Sequence, residues 1–270
     1  VKLARFLELP VAELSSVRLG ARYHYRPFFI AKQDGRERRI LAPSPALKAL
    51  QRRLLDHYLA TLPAHPSATA FRTGASIVTN ARRHVGQTLI VTADLANFFE
   101  STTADRVRAC FVKNGWRGEA LATLMRLCVY RDGLPQGAPT SPCLSNLVNI
   151  GLDEALTTLA QRAHAVYTRY GDDLTFSWRA ERLPADFQLK VEDCLREAGY
   201  AIQPRKGWNV SRSADEPHIT GLVLGRGGRL QLPWQTRLRI WQLRWRWWWT
   251  RDEQTAAQLQ GYEGVVRMIR

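Results

Sequence analysis

Arg169-Tyr170-Gly171-Asp172-Asp173-Leu174-Thr175-Phe176-Ser177 places two adjacent carboxylates between two runs of β-branched and aromatic residues. Such runs favour strands, so the stretch predicts a hairpin with Gly-Asp-Asp at its tip. Adjacent carboxylates repel, and a site that keeps both ionised usually holds a cation between them. Gly and Asp are also ordinary turn residues, and a solvated turn weighs evenly against a metal site on this stretch alone.

The remainder of the chain narrows the choice. Its 270 residues carry a net charge of +15 and a pI near 10.3. An excess of Lys and Arg spread along the whole chain suits a polyanionic partner such as nucleic acid, a general basic surface being the bland alternative. No apolar run approaches the roughly 18 residues of a membrane span, and no signal peptide is visible, so a cytoplasmic protein without a membrane partner is expected. Cys110, Cys128, Cys143 and Cys194 form no CxxC pair and read as reduced core residues. Val1 is an unusual first residue, which leaves open whether the natural start is present.

Taken in order, residues 1–19 predict a short helix, and residues 25–31 and 38–42 a hairpin carrying Lys32, Arg36, Arg38 and Arg39 near its tip. Residues 46–62 have the apolar spacing of an amphipathic helix. Residues 76–84 predict a basic helix ending in Arg82, Arg83 and His84, with His84 open to a structural or a nucleic-acid role. The strand over 88–93 runs into Asp94. A carboxylate at the end of a buried strand is costly without a partner, which makes Asp94 a candidate third ligand for Asp172 and Asp173, or else a cap. Helices are expected over 103–114, 119–130, 142–163 and 184–199, with strands beginning at Tyr200 and covering 218–224. Gly133 to Pro142 is too rich in Pro and Gly for a helix and predicts a tightly shaped loop. Between Trp234 and Trp249 the chain interleaves Arg237, Arg239, Arg244 and Arg246 with six tryptophans. This tract reads equally as a Trp-rich core helix or as a surface that stacks on bases, with Arg237, Arg244 and Trp245 as contacts.

Six blocks in order resemble the bacterial retron-type reverse transcriptases. They are Lys32-x-x-Gly35-x-x-Arg38-x-Ile40-x-x-Pro43, Asn80-Ala81-x-x-His84, Asp94-Leu95-x-Asn97-Phe98-Phe99, Leu134-Pro135-Gln136-Gly137-Ala138-Pro139-Thr140-Ser141-Pro142-x-Leu144-Ser145-Asn146, the Asp-Asp hairpin, and Thr220-Gly221-Leu222-Val223. The resemblance implies an α+β right-hand polymerase: fingers over residues 1–87, a ferredoxin-like palm over 88–229 with a fingers-associated helical segment near 115–135, and a thumb, left open as incomplete, over 230–270. It implies that Asp94, Asp172 and Asp173 hold two Mg²⁺ ions, with Mn²⁺ as a substitute, for in-line phosphoryl transfer. Lys32 and Arg38 would hold the triphosphate, Gln136 and Gly137 would border the nucleotide, and Lys206 would donate a proton to pyrophosphate. Arg82, Arg83 and His84 would touch nucleic acid.

Phe99, five residues after Asp94, would exclude a ribose 2′-hydroxyl and so select dNTPs. Gly171 departs from the family, which usually carries Ala there, and resembles viral RNA polymerases at this one position; Phe99 argues for DNA synthesis. The implied partners are a structured non-coding RNA template, its RNA–DNA product, dNTPs and an accessory effector in anti-phage defence. The competing readings are another defence-associated or group II intron-like reverse transcriptase, and a non-catalytic RNA-binding protein on a polymerase scaffold.

Overall fold

The computed structural model describes residues 24–31, 35 and 37–269. The expected helix over residues 1–19, and Lys32 and Arg36, lie outside the described residues. β1 (Tyr25–Ala31) and β2 (Glu37–Pro43) form an antiparallel ribbon in which Ile30 faces Arg38 and Phe28 faces Ile40. Pro43 and Pro45 end the ribbon, and Ser44 caps α1 (Pro45–His57) by accepting from the Leu47 amide. The helix expected as far as Leu62 stops at Tyr58 and continues only as a 3₁₀ turn over Leu59–Thr61. α2 (Ile77–Arg82) starts with a reciprocal Ser76–Thr79 capping box.

β3 (Leu89–Asp94) leads through α3 (Phe98–Ser101), α4 (Ala104–Lys113) and α5 (Gly118–Cys128) to α6 (Ser141–Val148) and α7 (Ile150–Arg162). The last two were expected as one helix. Asn149 divides them because its buried amide donates to the Ser145 carbonyl at 2.8 Å and to Tyr200 Oη at 2.9 Å, and its carbonyl accepts from Arg106 at 2.7 Å. β4 (Val166–Tyr170), β5 (Asp173–Trp178), α8 (Phe187–Glu197) and β6 (Trp208–Arg212) follow. Tyr200 does not begin a strand; Ile202 makes only one bridge, to Leu95. The fourth strand is β6, whose mostly exposed Trp-Asn-Val-Ser-Arg run lacks a clear apolar alternation.

The expected strand over 218–224 is a tight hairpin, β7 (His218–Ile219) and β8 (Leu222–Leu224), because Thr220 and Gly221 both take positive φ, the conformation of a two-residue hairpin turn. β9 (Leu230–Gln231) completes that small sheet, and α9 (Trp234–Thr250) and α10 (Glu253–Ile269) end the described chain.

The main sheet is antiparallel in the order β4-β5-β3-β6, with helices inserted between β3 and β4 and between β5 and β6. This is βαββαβ connectivity. Strand periodicity divides its two faces. Leu89, Val91, Tyr167, Leu174, Phe176 and Trp178 point to one side, where Leu152 and Leu156 of α7 and Phe187, Val191 and Leu195 of α8 cover them. Register sets Leu89 opposite Trp178, Val91 opposite Phe176 and Tyr167 opposite Phe176, so the core is built from cross-strand pairs. The opposite face carries Thr168, Thr175 and Ser177 and, in phase with them, Asp94 and Asp173. A second core under α1, α4, α5 and α6 supports the β1–β2 ribbon through Tyr25 and Leu41. All four cysteines are free, but only Cys128 is fully buried. Among the described residues no helix is long and apolar enough to cross a membrane.

Candidate active site

Asp94 ends β3 directly opposite Asp173, the first residue of β5. The Leu95 amide donates to the Asp172 carbonyl at 2.9 Å, and the Gln203 amide donates to the Asp94 carbonyl at 2.7 Å, so three chain segments tie this end of the sheet together. Gly171 turns the hairpin at φ 66°, a conformation that favours glycine. Lys206 Nζ lies 2.5 Å from Asp94 Oδ1, on the turn that follows Gln203.

The electrostatics of this end are those of crowded anions. Burial, then the charges of Asp172 and Asp94 and a hydrogen bond with Asp94, push the Asp173 carboxyl up to about 8. Burial also raises Asp172, against the opposing pull of Arg38 and Lys206. Carboxylates whose negative charge is disfavoured by burial and by their neighbours are a donor set that a divalent cation fits, since its charge reverses the local balance and it prefers hard oxygens. Among the described residues no three acidic, His or Cys side chains are already drawn into a closed cage. The three aspartates share one end of the sheet but are not wrapped around a point.

The hairpin is held from behind. Arg169 is fully buried and forks onto Asp153 of α7, with Nε–Oδ1 at 2.8 Å and Nη2–Oδ2 at 2.6 Å. Its remaining nitrogen donates to Asn146 Oδ1 at 3.3 Å and to the Gly171 carbonyl at 3.2 Å. Burial works against this charge, yet Asp153 outweighs it and holds the guanidinium above its usual range. Neither Arg169, Asp153 nor Asn146 stood out as a site residue in the sequence. An arginine inside an otherwise apolar strand was the available signal.

In front of the carboxylates lies a cleft of about 790 Å³. Arg38, Phe71, Phe99, Gln136, Gly137 and Asp172 are among the residues lining it. The structure therefore brings the expected nucleotide residues Arg38, Phe99, Gln136 and Gly137 to one space beside Asp172, with Lys206 at the neighbouring carboxylate. The Leu41 amide donates to the Gln136 carbonyl at 2.8 Å, locking the Pro-rich loop to β2. Gly137 has φ 127°, and a Cβ there would sit 2.6 Å from the Leu41 carbonyl oxygen; the loop needs glycine to lie this close to β2. Phe99 is half-buried, with its ring edge-on to Phe98 at 5.4 Å.

His84 is corrected. It is wholly buried, with Nδ1 2.7 Å from Ser177 Oγ and Nε2 2.8 Å from Thr168 Oγ1, so it pins α2 to the polar face of the sheet and cannot reach nucleic acid. Burial, aided by the Arg83 charge, lowers its pKa to about 3. Arg82 and Arg83 are exposed; Arg82 donates to the Met268 carbonyl at 2.6 Å. On α9 only Ile240 and Leu243 are buried, and they pack with Leu259 of α10. Trp234, Trp241, Trp245, Trp248 and Trp249 are 58–67% exposed, so a Trp-rich core is excluded for them. Arg237 and Arg244 are exposed on the same helix, with Arg244 3.5 Å from Glu263.

Comparison with known proteins agrees with this geometry. The family profile described as reverse transcriptase (RNA-dependent DNA polymerase) matches residues 30–224, from the end of β1 through β8. The retron Mx162 reverse transcriptase of Myxococcus xanthus is 38% identical over 235 residues, covering 76% of this chain and 48% of that protein. The retron Ec86 reverse transcriptase of Escherichia coli is 34% identical over 206 residues, covering 76% and 64%. The retron Ec83 reverse transcriptase of Escherichia coli is 30% identical over 223 residues, covering 77% and 71%. The chain spans about half the length of the two Myxococcus relatives it matches, 48% and 55%. With the aspartates, the cleft and the sheet order in the matched segment, the chain belongs to the reverse transcriptase family, within its retron branch.

Proposed function

We propose that this protein is an RNA-directed DNA polymerase that copies a cognate structured RNA into DNA. The observation that carries the reading is the meeting of Asp94, Asp172 and Asp173 at one sheet end, where Asp172 lines a cleft together with Arg38, Phe99 and the Gln136–Gly137 loop. The four-stranded sheet serves as a ferredoxin-like palm, the β1–β2 ribbon with its supporting helices as fingers, and α9 with α10 as thumb. Asp94, Asp172 and Asp173 would hold two Mg²⁺ ions, or Mn²⁺ in their place, which would supply Lewis-acid activation of the primer hydroxyl and charge neutralisation at the triphosphate.

The chain's own residues do the rest. Arg38 holds phosphate charge from the ribbon, joined by Lys32. Gln136 and Gly137 border the nucleotide, and Phe99 meets its sugar where a 2′-hydroxyl would project. Lys206, beside Asp94, is placed to protonate the leaving pyrophosphate. Arg82, Arg83, Arg237 and Arg244 neutralise phosphates of the template–product duplex, and Trp245 stacks on it. The resemblance to retron enzymes extends the proposal to an RNA-linked DNA product, used with an accessory effector in anti-phage defence.

Primer extension on an RNA template tests the polymerase. Asp172→Ala should abolish extension and leave RNA binding within about twofold, because one carboxylate on a basic protein contributes little to phosphate affinity. Undiminished extension would refute the metal assignment. Sequencing of copurifying nucleic acid tests the retron branch: a branched RNA–DNA hybrid supports it, and unlinked cDNA points to another reverse transcriptase.

A further inference from the structure

Phe71 was not singled out by any motif, yet its backbone and its position are both unusual. Its φ is 59°, the left-handed region, where a bulky non-glycine residue is a genuine outlier. Strain of this kind persists only where the surroundings over-determine it, and it concentrates at working sites. Here the surroundings are explicit. The Asn146 amide donates to the Ala70 carbonyl at 2.8 Å, immediately before Phe71. The Thr69 amide donates to the Arg169 carbonyl at 2.8 Å, and the Arg169 amide donates to the Ser67 carbonyl at 2.8 Å. Thr69 Oγ1 donates to Asn80 Oδ1 at 2.6 Å. The loop is stapled to the catalytic hairpin's own strand and to α6, and those staples push Phe71 outward.

The outcome is an aromatic ring 44% exposed in the cleft. It lies 6.3 Å from the Phe99 ring and 6.3 Å from the Tyr170 ring. The tip of the ring rests over Gly171: a Cβ on that glycine would stand 3.2 Å from Phe71 Cζ and 3.3 Å from Cε2. A methyl group there would make the ring yield by a few tenths of an ångström. Gly171, the residue that departs from the family pattern, is thus the floor on which Phe71 sits.

We infer that Phe71 is a specificity-determining residue for the nucleotide being joined, forming with Phe99 a two-ring wall against its sugar, and that Gly171 leaves the room this ring requires. The inference rests on the polymerase reading above. It follows from placement. The reacting atoms must lie at the carboxylates and the sugar of the same nucleotide must meet Phe99; the Phe71 ring shares their cleft, 6.3 Å from Phe99 and over Gly171, the residue before Asp172. Loss of an exposed ring that touches substrate changes substrate affinity more than fold stability.

Single-nucleotide incorporation on a primed RNA template, measured for wild type, F71A, F71L, G171A and F71A/G171A, tests it. F71A should raise the KM for dNTP about tenfold, the scale of one lost aromatic contact. Its kcat should stay within about threefold, and F71L should recover part of the affinity. G171A meets both the φ of 66° at that turn and the Phe71 ring, so it should raise KM in the wild-type background and cost less in the F71A background, where the part that acts through the ring is gone. Melting temperatures of F71A and wild type should coincide. An F71A KM within about twofold of wild type, or penalties from F71A and G171A that multiply independently, overturns the Phe71 assignment and leaves the polymerase reading standing. Failure of the wild-type protein to extend any primer overturns both.

Discussion

Replacing Asp153 with alanine removes the carboxylate partner of a fully buried guanidinium. Both side chains are 0% exposed. Asp153 Oδ1 accepts from Arg169 Nε at 2.8 Å and from Tyr167 Oη at 2.9 Å, and Oδ2 accepts from Arg169 Nη2 at 2.6 Å. Stranding one member of a buried pair costs about 3–5 kcal/mol. The orphaned Tyr167 hydroxyl adds about 1 kcal/mol or more. At about 2–4 °C per kcal/mol for a chain of this size, the melting temperature should fall by on the order of 10–15 °C. Thermal melting followed by circular dichroism measures this directly.

The pair also has a mechanical role, because Arg169 donates to the Gly171 carbonyl at 3.2 Å, one residue before Asp172. Arg169→Lys keeps a charge beside Asp153 but has no planar fork to reach Asp153 and Gly171 together. It should therefore lose more turnover than stability, with kcat reduced about tenfold at temperatures well below its melting range. Asp153→Leu combined with Arg169→Leu removes both charges and should recover much of the stability lost in Asp153→Ala, without recovering activity. A fall of less than about 3 °C in Asp153→Ala, or a double variant less stable than the single one, would refute the reasoning.

The cleft and the buried histidine give the other expectations. Gly137→Ala sets a methyl 2.6 Å from the Leu41 carbonyl and 2.9 Å from Ile40 Cγ2, so β2 must shift and carry Arg38 with it. The KM for dNTP should rise about tenfold or more, read by steady-state primer extension. Phe99→Ala should relax sugar selection; the ratio of dNTP to NTP incorporation is the measurement, and efficient NTP use by the unmutated protein would sink the DNA-synthesis reading. His84 supplies a pH dependence. Its ordinary pKa of 6.5 is depressed to about 3 by burial, so the unfolded chain takes up the proton first as pH falls. The stability it secures is complete above pH 6.5 and is lost progressively toward pH 3. At pH 5 the loss is about 2 kcal/mol, seen as the difference in urea stability between wild type and His84→Gln at pH 7 and pH 5.

The parts of the site that were legible are those whose meaning is local. Asp172 and Asp173 stand together between two strand-forming runs, and Asp94 ends a buried strand where a lone carboxylate would be costly; the antiparallel register then brings Asp94 opposite Asp173. The Gly133–Pro142 loop advertised its shape through Pro and Gly, and β2 explains why Gly137 has no side chain. What was illegible depends on partners far along the chain. His84, behind Arg82 and Arg83, was open to a structural or a nucleic-acid role, and what decides for the structural one is a pair of hydroxyls far along the chain, on β4 and β5. The helix break at Asn149 depends on Arg106 and Tyr200 as much as on its own turn. β6 was missed since an exposed edge strand needs no apolar alternation.

Gly171 belongs to the same class. Compared residue by residue with its family it poses a question about which sugar the enzyme accepts. Seen against Phe71 it becomes a question of packing, since a methyl group at that position would press on a ring held in place by Asn146 and by the strand that carries Arg169. The departure from the family pattern and the strained loop are then one feature, and the ring they seat stands 6.3 Å from Phe99 in the same wall.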